Sequence, residues 1–266
     1  MRIGFSRFFY AIAAACLATL SLAYGGFGPT GHPLPGWIPS RETCSNLSAV
    51  LLLTASAGLC LLRTAYIAAW VIGAYQGVWA ALGTPSILSS PLSIGAWYGF
   101  CEATTSLAGA WILCAELRRR PDGSRMAAAS ERAVRVAQVL FGLTCVFYGA
   151  SHFAYADYTA SMVPIWLPGR LGWAYLTGLG HIAAGVGIVF GILPRLAATL
   201  EAAMMGLFGI LVWVPSFWAQ PRPQWATPPQ NQWSELVVNL ILAASACIVA
   251  ASLRHRSWGF RSRSGT

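Results

Sequence analysis

Long uninterrupted apolar runs constrain this chain more than any other feature. A helix needs about 20 predominantly apolar residues to cross the hydrocarbon of a bilayer, and eight segments qualify: roughly 8–25, 45–62, 64–82, 94–116, 134–153, 172–193, 195–213 and 234–253. Inside lipid each backbone N–H and C=O must be paired within its own segment, so segments of this length and polarity are expected to be helices. Only 9% of the 266 residues are charged, against about 25% in a soluble domain. That excludes an ordinary water-soluble enzyme and a disordered chain. The net charge of +9 would suit a nucleic-acid binder if it formed a patch. Here the 17 basic residues, all Arg, sit in short stretches between apolar runs, which is how a membrane protein sets its orientation. Nucleic acid is therefore not an expected partner; the lipid bilayer is.

Taking the N-terminus as cytoplasmic puts fourteen Arg inside, in clusters at 2 and 7, at 63, from 118 to 135, at 195 and from 254 to 263. Only Arg41, Arg170 and Arg222 fall outside. The positive-inside rule thus predicts eight helices with both termini cytoplasmic, as in a bacterial inner membrane. The segment from Pro215 to Trp233, with Pro221, Pro223, Pro228 and Pro229 and the indoles of Trp218 and Trp225, reads as an interfacial loop.

An internal repeat organises the chain. Trp97–Arg118 aligns without gaps on Trp233–Arg254, and Trp37-Ile38-Pro39-Ser40-Arg41 matches Trp166-Leu167-Pro168-Gly169-Arg170. Arg63 and Arg195 separate helices at corresponding places. The expected fold is all-α, with two tandem four-helix bundles in parallel orientation. Residues 1–117 form the first unit, 118–133 an Arg-rich cytoplasmic linker, 134–253 the second unit and 254–266 a basic cytoplasmic tail. Arg2 and Arg7 ahead of an apolar run resemble a secretion signal. The repeat instead makes the first segment the counterpart of the fifth, so it is expected to be retained.

Seven Cys are present with no Cys-x-x-Cys pair and no Cys–His spacing suited to a metal. All but Cys44 lie in apolar segments, where a thiol is expected to pack as a small side chain. No haem pair, flavin fingerprint or iron–sulfur spacing is visible either.

Ionisable groups inside hydrocarbon cost a few kcal/mol each and point to function by default. His181 falls midway along the sixth segment, on one face with Gly178 and Gly185, so it is expected to point into the bundle. His152 closes the fifth segment, Glu235 and Asn239 stand one turn apart at the outer end of the eighth, and Arg170 sits in the repeated Trp-x-Pro-x-Arg loop. Glu102, with Thr105, Ser106 and Gly109, makes a polar stripe on the fourth. These six, His152, Arg170, His181, Glu235, Asn239 and Glu102, are the ligand-binding candidates, with His181 at the centre of a pocket bordered by His152 and Glu235. The alternative is that His181 is a neutral imidazole hydrogen-bonded across helices. Glu201, near the cytoplasmic end of the seventh segment, is expected to pair there or reach lipid headgroups.

Ser151-His152-Phe153, Met162-Val163-Pro164-Ile165-Trp166-Leu167-Pro168 and the run from Trp173 to Gly185 that includes Gly178-Leu179-Gly180-His181 resemble the DoxX family, as do Arg195-Leu196-Ala197-Ala198 and Met204-Met205. The resemblance covers about 134–253 and, more weakly, the first unit. It implies four-helix membrane units and an association with redox complexes, including thiosulfate:quinone oxidoreduction. The expected function is accordingly a redox-associated membrane subunit, an accessory of a quinone-linked oxidoreductase, that binds a quinone-like amphipath near the outer leaflet. Electrons would come from a membrane redox partner. A non-enzymatic scaffold or assembly factor and, third, a small-molecule transporter remain open.

Overall fold

A computed structural model describes residues 3–27, 39–118, 125–221, 223, 225 and 229–258. Trp37 and Ile38 of the first Trp-x-Pro-x-Arg copy, Arg119 to Ser124 of the linker, Arg222 and the tail beyond Trp258 lie outside the described residues. The described chain is helical, with no strand. In order the helices are α1 (Ile3–Tyr24), α2 (Arg41–Cys60), α3 (Ala65–Ser89), α4 (Ile94–Leu117), α5 (Arg125–Ala154), α6 (Ala156–Met162), α7 (Arg170–Phe190), α8 (Pro194–Phe208), a π-helical turn (Gly209–Trp213), α9 (Val214–Ser216) and α10 (Pro229–Ser252). Seven of the helical stretches are long and apolar enough to cross a membrane: α1, α2, α3, residues Ala128–Ala154 of α5, α7, the run Pro194–Ser216 and α10. The eighth expected segment forms α4, whose polar stripe and Glu116 dilute its apolar character.

Several boundaries differ from expectation. α5 begins at Arg125, so most of the described part of the expected linker is helix; its Ala-rich sequence with Met, Glu and Arg favours that state. α3 continues through Pro85 to Ser89. The expected interfacial loop is shorter at both ends. Helix persists through Ser216, and Pro229 opens α10, a position where its missing N–H costs nothing. The π-turn precedes Pro215. Proline cannot donate to the carbonyl four residues back and its ring clashes there, and a widened turn relieves both problems.

One end of the bundle collects arginines. Arg118 lies over the Tyr66 ring at 3.8 Å. Arg135 donates to the Ile188 carbonyl at 2.9 Å and to that of Val189, satisfying the C-terminus of α7. Arg195 donates to the Arg254 carbonyl, and Arg254 pairs with Glu116 at 3.3 Å. The start of α1 and the last turns of α10 meet near this end, where Ser6 donates to the Cys247 carbonyl.

The core centres on α10, of whose membrane-length window 83% is buried. It packs against α1, α4 and α8, while α4 also packs against α3 and α5. Contacts therefore cross the boundary expected between the units. Three residues of the α4 stripe, Thr105, Ser106 and Gly109, meet three different helices. Thr105 bonds Thr144 and Tyr148 of α5 at 2.8 and 3.0 Å, and Ser106 shares a 2.7 Å bond with Tyr10 of α1. Gly109 faces Ser245 of α10, whose Oγ would stand 2.9 Å from a Cβ added there.

Candidate functional site

The local sequence of α7 explains how close it comes to α5. Gly178 and Gly185 lie two turns apart on one face, and Gly142 and Gly149 do the same on α5. A Cβ on Gly142 would stand 2.9 Å from the Gly185 carbonyl oxygen, and one on Gly178 would stand 2.8 Å from the His152 Cβ. Small residues at these four places let the backbones touch. They also bring the two histidines together, with ring centroids 5.1 Å apart.

The tight turn between α7 and α8 then sets the partner. Gly191 caps α7 with φ 73°, a left-handed conformation that glycine adopts without strain. α8 returns beside α7, and Glu201 meets His181 at equal depth: Nδ1 and Oε1 are 2.8 Å apart. Both side chains are 1% exposed. Glu201 thus lies within the bundle, about two turns into α8, where it pairs with His181 and does not reach headgroups. The pair is half satisfied. His181 Nε2 and Glu201 Oε2 are buried with no hydrogen-bond partner among the described residues, and an unsatisfied buried polar atom costs about 1–3 kcal/mol.

Aromatic rings enclose the imidazoles. Phe208, the last residue of α8 before the π-turn, stacks on His152 at 6.0 Å and stands edge-on to His181 at 5.8 Å. Tyr148 approaches His181 at 6.1 Å, while its hydroxyl bonds Thr105. His152 is anchored separately, through Nδ1, to Thr177 Oγ1 at 3.0 Å and to the Ala174 carbonyl oxygen at 3.3 Å. The Cys145 thiol lies beside the Glu201 carboxyl.

The other candidates sit around this centre. Glu235 of α10 and Glu102 of α4 interact with each other and with Tyr98. Tyr148, whose ring approaches His181, also interacts with Glu102. Asn239 is 7% exposed. Its Nδ2 faces the Met205 sulfur at 3.6 Å, and its Oδ1 has no partner among the described residues. Arg170 is exposed at the first turn of α7. The structure thus brings His181 to His152, adds Glu201 from α8, and places Arg170 exposed at the start of α7.

With Glu201 ionised and the imidazole neutral, the 2.8 Å bond places its hydrogen on His181 Nδ1, which leaves Nε2 as a bare acceptor. The arrangement can then receive a hydroxyl or ammonium donor at Nε2 and, on protonation, stabilise the imidazolium through the carboxylate.

Comparison with known families matches part of the chain. The model of a family described as a domain of unknown function (DUF8561) matches residues 141–250. That stretch runs from α5 into α10 and contains His152, His181, Glu201, Glu235 and Asn239, but not Glu102. No curated protein and no solved structure matches.

Proposed function

We propose that this is a DoxX-like inner-membrane protein whose His181–Glu201 pair binds the polar head of a quinone-like amphipath as part of a redox-associated complex. The observation that carries the reading is the pair itself: an imidazole and a carboxylate, both 1% exposed, each with one polar atom left over. A hydroquinone offers what that site lacks, an O–H donor on a flat apolar ring. Its hydroxyl would donate to Nε2, and the ring would lie among Phe208, Tyr148 and His152. As the hydroquinone is oxidised it gives up two electrons and two protons: Nε2 takes one proton, Glu201 holds the resulting cation, and the second proton leaves the opposite hydroxyl to water. The electrons pass to a membrane redox partner protein.

The proposed frame is eight membrane helices in two tandem four-helix units, with both termini on the cytoplasmic side. The arginines gathered at one bundle end support that orientation. Gly109 and Ser245 support the tandem, because they occupy the same position in the repeat and touch across α4 and α10. By the same repeat the place of Glu201 is taken in the first unit by Ala69, buried in the apolar core. The polar site is thus a property of the second unit.

The test is an inventory by mass spectrometry of the amphipaths that accompany the protein purified from its native membrane. The wild type should carry a quinone-like molecule. The double variant His181→Leu/Glu201→Leu leaves no orphaned charge and should be folded and empty. Equal loading of both, or an empty wild type, contradicts the proposal and favours a scaffold whose pair only fixes α7 against α8.

A further inference from the structure

A cavity of about 1080 Å3 lies away from the His181 site, on the outer face of α4 between α3 and α5. Its walls change character along its length. At one end stand Arg118, Tyr66 and Ser130; further along come Trp70 and Trp111, and then Gly77 and Leu107. Arg118 is the one charged side chain among the described residues that line it. Tyr66 holds that guanidinium on its ring face at 3.8 Å, and Ser130 ties α5 to α4 by donating to the Ala115 carbonyl at 3.1 Å. Trp70 and Trp111 are 61% and 37% exposed, so the apolar part opens sideways from the bundle.

The dimensions match one leaflet. Tyr66 to Gly77 and Leu107 to Arg118 each span three helical turns, about 16 Å, or half of a hydrocarbon core about 30 Å thick. The charged end lies at the basic end of the bundle, where a membrane protein meets the headgroups of its positively flanked side. A groove that is cationic at headgroup depth and aromatic along one leaflet is complementary to a lipid with an anionic head.

We propose that this groove holds one anionic phospholipid, its phosphate on Arg118 and an acyl chain along Trp70 and Trp111. A single Arg at the membrane surface contributes about 1 kcal/mol towards anionic lipid, roughly a five-fold change in affinity. Native mass spectrometry of the full chain in mild detergent, with phosphatidylglycerol or phosphatidylcholine of identical chains added, tests it. Wild type should retain its first phosphatidylglycerol at a lower concentration than its first phosphatidylcholine. Arg118→Gln should weaken that phosphatidylglycerol about five-fold. Ala74→Trp, which adds an indole to an exposed position in the groove wall, should abolish retention of either lipid with helicity unchanged. Equal retention of the two lipids by wild type, or wild-type retention by both variants, overturns the proposal. So does a change of oligomeric state in Ala74→Trp with lipid retention intact, which would assign the groove to a second copy of the chain.

Discussion

His181 and Glu201 lie ten positions either side of Gly191, and that symmetry is what makes them partners. In an antiparallel helical hairpin, residues equidistant from the turn stand at equal depth. The information was therefore present in the sequence, but measuring Glu201 only from the end of its own segment hides it. His181 was legible for a different reason, since its flanking glycines mark an inward face without reference to any neighbour. The orphaned Nε2 and Oε2 depend on side-chain placement and have no sequence signal. A pair buried this deeply should be strongly coupled. Glu201→Leu strands the imidazole at a cost of about 1–3 kcal/mol, and His181→Leu strands the carboxyl at about 3–5 kcal/mol. The double variant, with both groups apolar, should lose less than the sum of the two. Reversible unfolding in mixed micelles measures the cycle, and additive losses would show that the 2.8 Å bond contributes nothing.

The helices themselves were largely readable, because a bilayer forces apolar runs of sufficient length into one conformation. Their ends were less so. Pro229 reads as part of a loop yet opens α10, where its missing N–H costs nothing, and α3 runs on past the expected end through Pro85. The contact between α5 and α7 was half legible: Gly178 and Gly185 announce a close neighbour, but only the fold shows that it is Gly142 and Gly149 that meet them. Added methyl groups should separate the effects of glycine at these sites. Gly142→Ala and Gly178→Ala force atoms to within 2.9 Å or less of a neighbour and should each destabilise by about 1–3 kcal/mol. Gly206→Ala on α8 meets open space and should stabilise by about 0.5–1 kcal/mol through better helix propensity. Thermal unfolding in detergent ranks the three. A stabilised Gly178→Ala would mean that α5 and α7 are not in backbone contact.

At the scale of the whole molecule, the repeat suggested two self-contained bundles, and the packing shows why α10 is the most buried of the long helices. It takes α1 on one side and α8 on another, and it crosses α4 where Gly109 meets Ser245. Repeat alignment states which helices are equivalent, not which ones exchange neighbours, so this centre was invisible in sequence. A consequence is that the aromatic enclosure around His181 is braced by helices from both halves, through Tyr148, Thr105 and α4. The most direct test of the account is a titration of the purified full chain with a short-chain hydroquinone, followed by tryptophan fluorescence. Wild type should show saturable binding of one hydroquinone per chain, absent from the folded His181→Leu/Glu201→Leu variant. Identical titrations for the two proteins, or no saturable binding by wild type, would contradict a ligand site at His181 and Glu201.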